Sequence, residues 1–129
     1  MSAAGLALQR ALYAVLSRQT ELTGVFDHVP AGAVYPYAVI GPDVVTDAGS
    51  KTGDGREHRL SVSLWDGGAS SARVKALMVA VEEAVAGMPG DLGGGQRLVN
   101  VRFLRSFVDP APAGPVRGVI EFRARTEAV

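Results

Sequence analysis

Residues 56 to 66, from Arg56 to Asp66, alternate polar and apolar side chains almost without a break. An extended chain turns its side chains to opposite faces at each step, so His58, Leu60, Val62 and Leu64 share one face and Arg59, Ser61 and Ser63 the other. The pattern predicts a strand with one dry face. A different spacing governs the amino-terminal region, where Leu8, Leu12, Val15 and Leu16 recur at helical intervals while Arg10, Ser17 and Arg18 point elsewhere. This is a first amphipathic helix, with Ser2 available as its cap and an end between Thr20 and Gly24. Val74, Leu77, Met78, Val81 and Val85 make the stripe of a second helix, with Arg73, Lys75, Glu82 and Glu83 on its wet side. Ser70 or Ser71 can cap it, and Gly87, Pro89 and Gly90 terminate it.

The remaining apolar runs are short and read as strands. Val25 to Val29 is stopped by Pro30, and Tyr37 to Gly41 is opened by Pro36 and prolonged to Val44 and Val45 across a bulge at Pro42. Leu98 to Leu104 places Val99, Val101 and Phe103 on one face. In the last run Gly118, Ile120, Phe122 and Ala124 alternate with Val119, Glu121, Arg123 and Arg125. Asp109 to Pro115 is a turn-forming block, because its prolines cannot donate to a ladder, and the two final strands should pair across it as an antiparallel hairpin. The order helix, three strands, helix, two strands predicts an α+β domain: a mostly antiparallel sheet of four to five strands with two helices packed on one face. Residues 46 to 56 begin with ten positions that carry no hydrophobic anchor and three glycines, which predicts a polar hairpin arm projecting from the sheet.

Length and charge narrow the picture without naming a function. A chain of 129 residues needs one core, so a single domain spanning 1–129 is expected. Thirteen basic and thirteen acidic residues cancel, leaving no global field to draw nucleic acid or an anionic membrane. The balance is nevertheless uneven. Glu21, Asp27, Asp43, Asp47, Asp54 and Glu57 outweigh Lys51 and Arg56, whereas Arg97, Arg102, Arg105, Arg117, Arg123 and Arg125 outweigh Asp109 and Glu121. The absence of cysteine excludes disulfides and thiolate metal sites. The apolar stretch Leu6 to Leu16 is interrupted by Arg10 with no small-residue cleavage site after it, and no run approaches the ~20 apolar residues that span a bilayer, so a soluble protein is expected.

Candidate chemistry is thin. Gly49-Ser50-Lys51-Thr52-Gly53 resembles a phosphate loop only superficially, because no glycine precedes the lysine and no helix follows. The same residues fail as a nucleophile elbow, since Lys51 stands where a serine is required. His28 and His58 lie in separate strands without ligand spacing, and the adjacent Glu82 and Glu83 diverge on a helix. No catalytic set, metal site or cofactor site follows. The arginines of the last two strands are a wet sheet face or an assembly surface; exposed interleaved aromatics or a recognition helix, which sequence-specific nucleic-acid reading needs, are missing. As an assembly surface, Arg102, Arg105, Arg117, Arg123 and Arg125 of one copy would meet the acidic region of the next, and Asp47, Lys51, Asp54 and Arg56 are the candidate contacts on the arm. Contact of this head-to-tail kind closes rings when the rotation is right. Trp65, the only tryptophan, reads as a core or hinge anchor at the end of the organising strand.

These pieces, in their order and spacing from Leu8 to Glu127, resemble the phage tail-completion (tail terminator) family in the version carried by alphaproteobacterial prophages and gene transfer agents. The resemblance is carried by Leu8-Gln9-Arg10-Ala11-Leu12-Tyr13, Val25-Phe26-Asp27-His28-Val29-Pro30 and Tyr35-Pro36-Tyr37-Ala38-Val39-Ile40-Gly41. It continues through Asp47 to Trp65, Arg97 to Phe103 and Gly118 to Ala124, and departs from the family at the proline block 110–115. It implies a structural, non-catalytic protein of a virus-like particle, assembled in the bacterial cytoplasm. Its members form a homohexameric ring that caps the head-proximal end of the tail tube, joins the tube protein to head-neck connector or stopper proteins, and leaves a channel through which DNA passes without specific binding. Two other readings stay open at the level of residues: another neck or head-completion protein, or a small ligand-binding protein or enzyme using His28 or His58 beside a pocket between sheet and helices.

Overall fold

The chain runs through α1 (Ala4–Ser17), β1 (Gly24–Phe26), β2 (Tyr37–Asp47), β3 (Gly55–Asp66), α2 (Ala72–Ala86), β4 (Asp91–Gly93), β5 (Gln96–Pro110) and β6 (Val116–Ala128). These elements are those of the computed structural model, which describes residues 3–51, 53–68, 70–110 and 114–129. The strands form one sheet of order β1-β2-β3-β6-β5-β4. The alternating stretch is therefore an interior strand, paired antiparallel with β2 on one side and with β6 on the other. Its dry face is as the alternation requires: His58, Leu60, Val62 and Leu64 are all buried.

Against that face lie Ile120, Phe122 and Ala124 of β6, Ala38 and Ile40 of β2, and the stripes of both helices, forming one continuous core. Leu8, Leu12, Val15 and Leu16 come from α1, and Val74, Leu77, Met78, Val81 and Val85 from α2. Each fully buried aliphatic side chain contributes about 1.5–3 kcal/mol through removal from water, so the stripes rather than local propensity hold the helices in place. Gly118 is where α2 comes nearest to β6. A Cβ there would stand 2.6 Å from both Met78 Sδ and Val74 Cγ1, so only glycine lets the helix settle on the strand.

The sheet has six strands rather than four to five, and it is mixed. β4 carries no alternation, being a short Asp-Leu-Gly segment, and it is returned onto β5 by Gly94 and Gly95, whose φ values of 63° and 77° suit the tight turns that join hairpin strands. β1 pairs parallel to β2, with Gly24 beside Tyr37 and Phe26 beside Val39; side-chain alternation carries no information on strand direction. β1 also stops at Phe26, and α1 ends at Ser17 rather than beyond Thr20. The bulge at Pro42 is present, between Ile40 and Asp43, and Ser61 Oγ donates to the Gly41 carbonyl there at 2.6 Å. Two further bulges interrupt β5, between Leu98 and Asn100 and between Phe103 and Arg105. Val101 and Phe103 share the helix-side face as expected, opposite Ala124 and Phe122, while Val99 falls at the first bulge and is exposed, and Leu98 is buried.

The expected cap of α1, Ser2, lies outside the described residues; at α2 Ser71 takes the N-cap position and Ser70 Oγ accepts the Ala72 N–H at 3.2 Å, in line with either serine as cap. The final two strands pair antiparallel from Gln96 opposite Ala128 to Pro110 opposite Val116. Their expected proline turn falls partly on residues 111–113, which lie outside the described residues.

Candidate assembly surface

The face of the sheet turned away from the helices is built by β3, β6 and β5. Residues directly opposite in an antiparallel pair point to the same side. Arg117, Arg123 and Arg125 of β6 stand opposite Asp109, Arg102 and Asn100 of β5, and Arg105 stands opposite Glu121. Arg102 and Arg105 would occupy the same face of a regular strand only if an even number of steps separated them. The extra residue at Leu104 supplies the missing step. All five candidate arginines of the last two strands therefore lie on one surface.

Carboxylates on the same surface meet most of them. Arg105 pairs with Glu121. Arg123 Nε donates to Glu57 Oε1 at 2.7 Å, Arg117 to Asp109 at 3.1 Å and Arg97 to Glu127 at 2.6 Å. These pairs are open to solvent and stabilise the fold little. Arg59 and Arg102 form no ion pair among the described residues. Both stand directly opposite Arg123, one from each side, so three guanidinium groups lie in line across β3, β6 and β5. Like charges opposite one another destabilise a sheet, and an external anion relieves that cost.

The same surface carries aromatic rings. The Arg117 guanidinium lies 5.7 Å from the Trp65 ring centroid and 6.0 Å from that of Phe107, and Arg105 lies 5.3 Å from Phe107. Trp65 is thus half-buried on the arginine face. Trp, Arg and Phe at a surface are the composition of protein–protein contacts. Arg59, Trp65 and Phe107 are additions to the candidate set. Arg59 was legible as a wet-face residue, but its alignment with Arg102 needs the register of three strands.

The four candidate residues of the arm sit at one end of the sheet, with Asp47 and Arg56 on its helix side. β2 continues to Asp47 and β3 begins at Gly55, so the ends of the 46–56 stretch are ladder residues. The backbone stays paired toward the tip, with Ala48 N–H donating to Gly55 O at 2.9 Å and Ser50 N–H to Gly53 O at 2.9 Å. Arg56 gathers Asp47, at 3.3 Å, and Asp54. Lys51 is exposed. Arg125 reaches back from the arginine face to the Ala48 carbonyl at 3.2 Å, joining the two groups of candidates. The hairpin is acidic at its base and basic only at Lys51 and Arg56.

The histidines are separate. His58 is wholly buried, its Nε2 2.9 Å from Thr126 Oγ1 and its Nδ1 3.6 Å from Asp43 Oδ2. An imidazole sealed from solvent in this way works as an internal polar contact. His28 is exposed beyond β1. Among the described residues no three His, Asp or Glu side chains converge as a metal site would need. An apolar cleft of about 380 Å³ opens between α2 and β5, lined by Val79, Ala86, Val101 and Phe103 and flanked by Glu82 and Arg102.

No functionally curated protein is similar to the chain in sequence. Among solved structures, a chain of the virion of a native gene transfer agent particle is 36% identical and superposes with a TM-score of 0.83, over 99% of this chain and 100% of that one. The family model described as tail completion protein gp17 matches residues 7–127. This chain belongs to the tail completion protein gp17 family.

Proposed function

We propose that this chain is a structural component of a tailed virus-like particle, a tail terminator whose six copies close a ring on the head-proximal end of the tail tube. The observation that carries the reading is its likeness, across almost its whole length, to a chain of a gene transfer agent virion. The ring joins the tube protein to a head-neck connector or stopper protein and leaves a channel for DNA. Assembly takes place in the bacterial cytoplasm, and the chain acts by fitting surfaces together.

The physical parts support this role. The arginine face, where Arg59 and Arg102 flank Arg123 and form no ion pair among the described residues, suits a protein partner bearing carboxylates. It suits a channel wall poorly, since close phosphate contacts would retain the DNA that must pass. The hairpin at 46–56 contacts the tube or an adjacent subunit. The decisive experiment is imaging of particles assembled without this chain. Overlong or headless tails are expected; normal-length tails still joined to heads would refute the terminator role, and heads with defective portals but normal tails would assign the chain to head completion.

A further inference from the structure

Both margins of the sheet carry backbone without a partner. β1 covers β2 only from Tyr37 to Val39, so among the described residues Asp43 to Asp47 pair with β3 on one side and with nothing on the other. At the opposite margin β4 covers only Gln96 and Arg97 of β5, and Leu98 is tied to Gly90, leaving Asn100 to Asp109 open along one side among the described residues. Such edges are templates for another strand and are usually blunted. The β5 edge is instead apolar: Phe103, Leu104 and Phe107 are all more than a third exposed. Val44 and Val45, at the β2 edge, are 58% and 42% exposed.

The two margins complement each other. On the face turned away from the helices the β2 edge carries Val44 and Thr46 and the β5 edge carries Arg105, Phe107 and Asp109, so the apolar Val44 and Phe107 lie on the same side. Each has a stretch without a bulge, Asp43 to Asp47 on one and Arg105 to Asp109 on the other. Strand direction also fits. β2 is antiparallel to β3, β3 to β6 and β6 to β5, so β2 and β5 run in opposite senses. A rotation about an axis along the strands keeps those senses and brings β5 of one copy antiparallel to β2 of the next, which is the more favourable ladder.

We propose that neighbouring copies join by strand addition, the free edge of β5 from Arg105 to Asp109 pairing with the Asp43–Asp47 edge of β2 in the next copy. The contact is heterologous and continues the sheet from subunit to subunit around the ring. Val44 comes onto the face of Phe107, and Val45 onto the opposite face beside Val108. The apolar cleft between α2 and β5 opens at the same margin and is closed over by the neighbour. This inference rests on the proposed ring and specifies which surfaces make it.

The absence of cysteine from the chain permits a direct test. Within one copy β2 and β5 are separated by β3 and β6, roughly 14 Å at ordinary strand spacing, too far for a disulfide. Any bond between them is therefore intermolecular. Val44→Cys is combined in turn with Arg105→Cys, Phe107→Cys and Asp109→Cys, and assembled protein is oxidised and separated under denaturing conditions. A covalent ladder ending at six chains is expected for at least one pair, with no band beyond a dimer when Val44→Cys is present alone. Rings seen by light scattering and electron microscopy without a ladder from any pair would overturn strand addition and leave the ring standing. Crosslinks solely to another particle protein would give this edge to that partner and overturn self-pairing. Failure to find rings at all, with unmutated protein and tail tubes present, would overturn both.

Discussion

Arg102 and Arg123 stand directly opposite each other on β5 and β6 although one number is even and the other odd, and Arg59 stands on the far side of Arg123. The arrangement places repulsion in the middle of the arginine face. Replacement of Arg102 by Ser removes a charge that has no ion-pair partner among the described residues. Stability should change by no more than about 0.5 kcal/mol, and in the stabilising direction if at all. Chemical denaturation measures the first effect, and the yield of joined particles should fall in the same variant. Loss of stability with assembly intact would show that the row serves the fold.

The hairpin should be separable from the domain. Because Ala48 and Gly55 pair across the hairpin, shortening must be confined to 49–54, replaced by a two-residue Asn-Gly turn. Circular dichroism and the thermal midpoint are expected to stay near those of the parent. Tails carrying this variant should fail to attach to heads; ordinary attachment would remove the hairpin from the contact surface.

Thr126→Val tests the buried imidazole. His58 Nε2 has Thr126 Oγ1 at 2.9 Å, while Nδ1 has no hydrogen-bond partner among the described residues. Losing the hydroxyl leaves both ring nitrogens unsatisfied in the core, a cost of about 1–3 kcal/mol. A urea midpoint that falls at unchanged slope is the expected result.

Gly118→Val tests the seat of α2. The added carbons meet Met78 and Val74 well inside contact distance, and overpacking of this kind costs about 1–3 kcal/mol. Pairing it with Met78→Ala makes room beside the strand. The double variant should recover part of the loss, an interaction read from a double-mutant cycle.

The sequence was most informative where one face is buried. The dry face of β3, both helical stripes and the alternation of β6 were legible because burial and period coincide, as Leu60, Val62, Leu64, Ile120 and Phe122 show. The bulge at Pro42 was legible because proline cannot serve a regular ladder. The parallel pairing of β1 was not, since period 2 is the same in either direction. Nor was β4, whose single apolar residue, Leu92, gives no pattern. At the surface, the arginine count and the acidic hairpin could be read, but their geometry could not. Sharing of a face by Arg102 and Arg105 depends on Leu104 being an extra residue, and nothing in the local composition marks Leu104 rather than its neighbours.

That supernumerary Leu104 also decides which changes of length β5 can absorb. With Phe103 opposite Phe122 and Arg105 opposite Glu121, excision of Leu104 alone would restore even steps and leave every other side chain on its present side. Loss of Val101 instead would exchange inside for outside over the residues between it and the nearest bulge, carrying a guanidinium toward the core. A shortened β5 lacking Leu104 would lose local twist and present a flatter margin. Such a chain would be expected to associate less selectively, trading a defined number of neighbours for open-ended stacking.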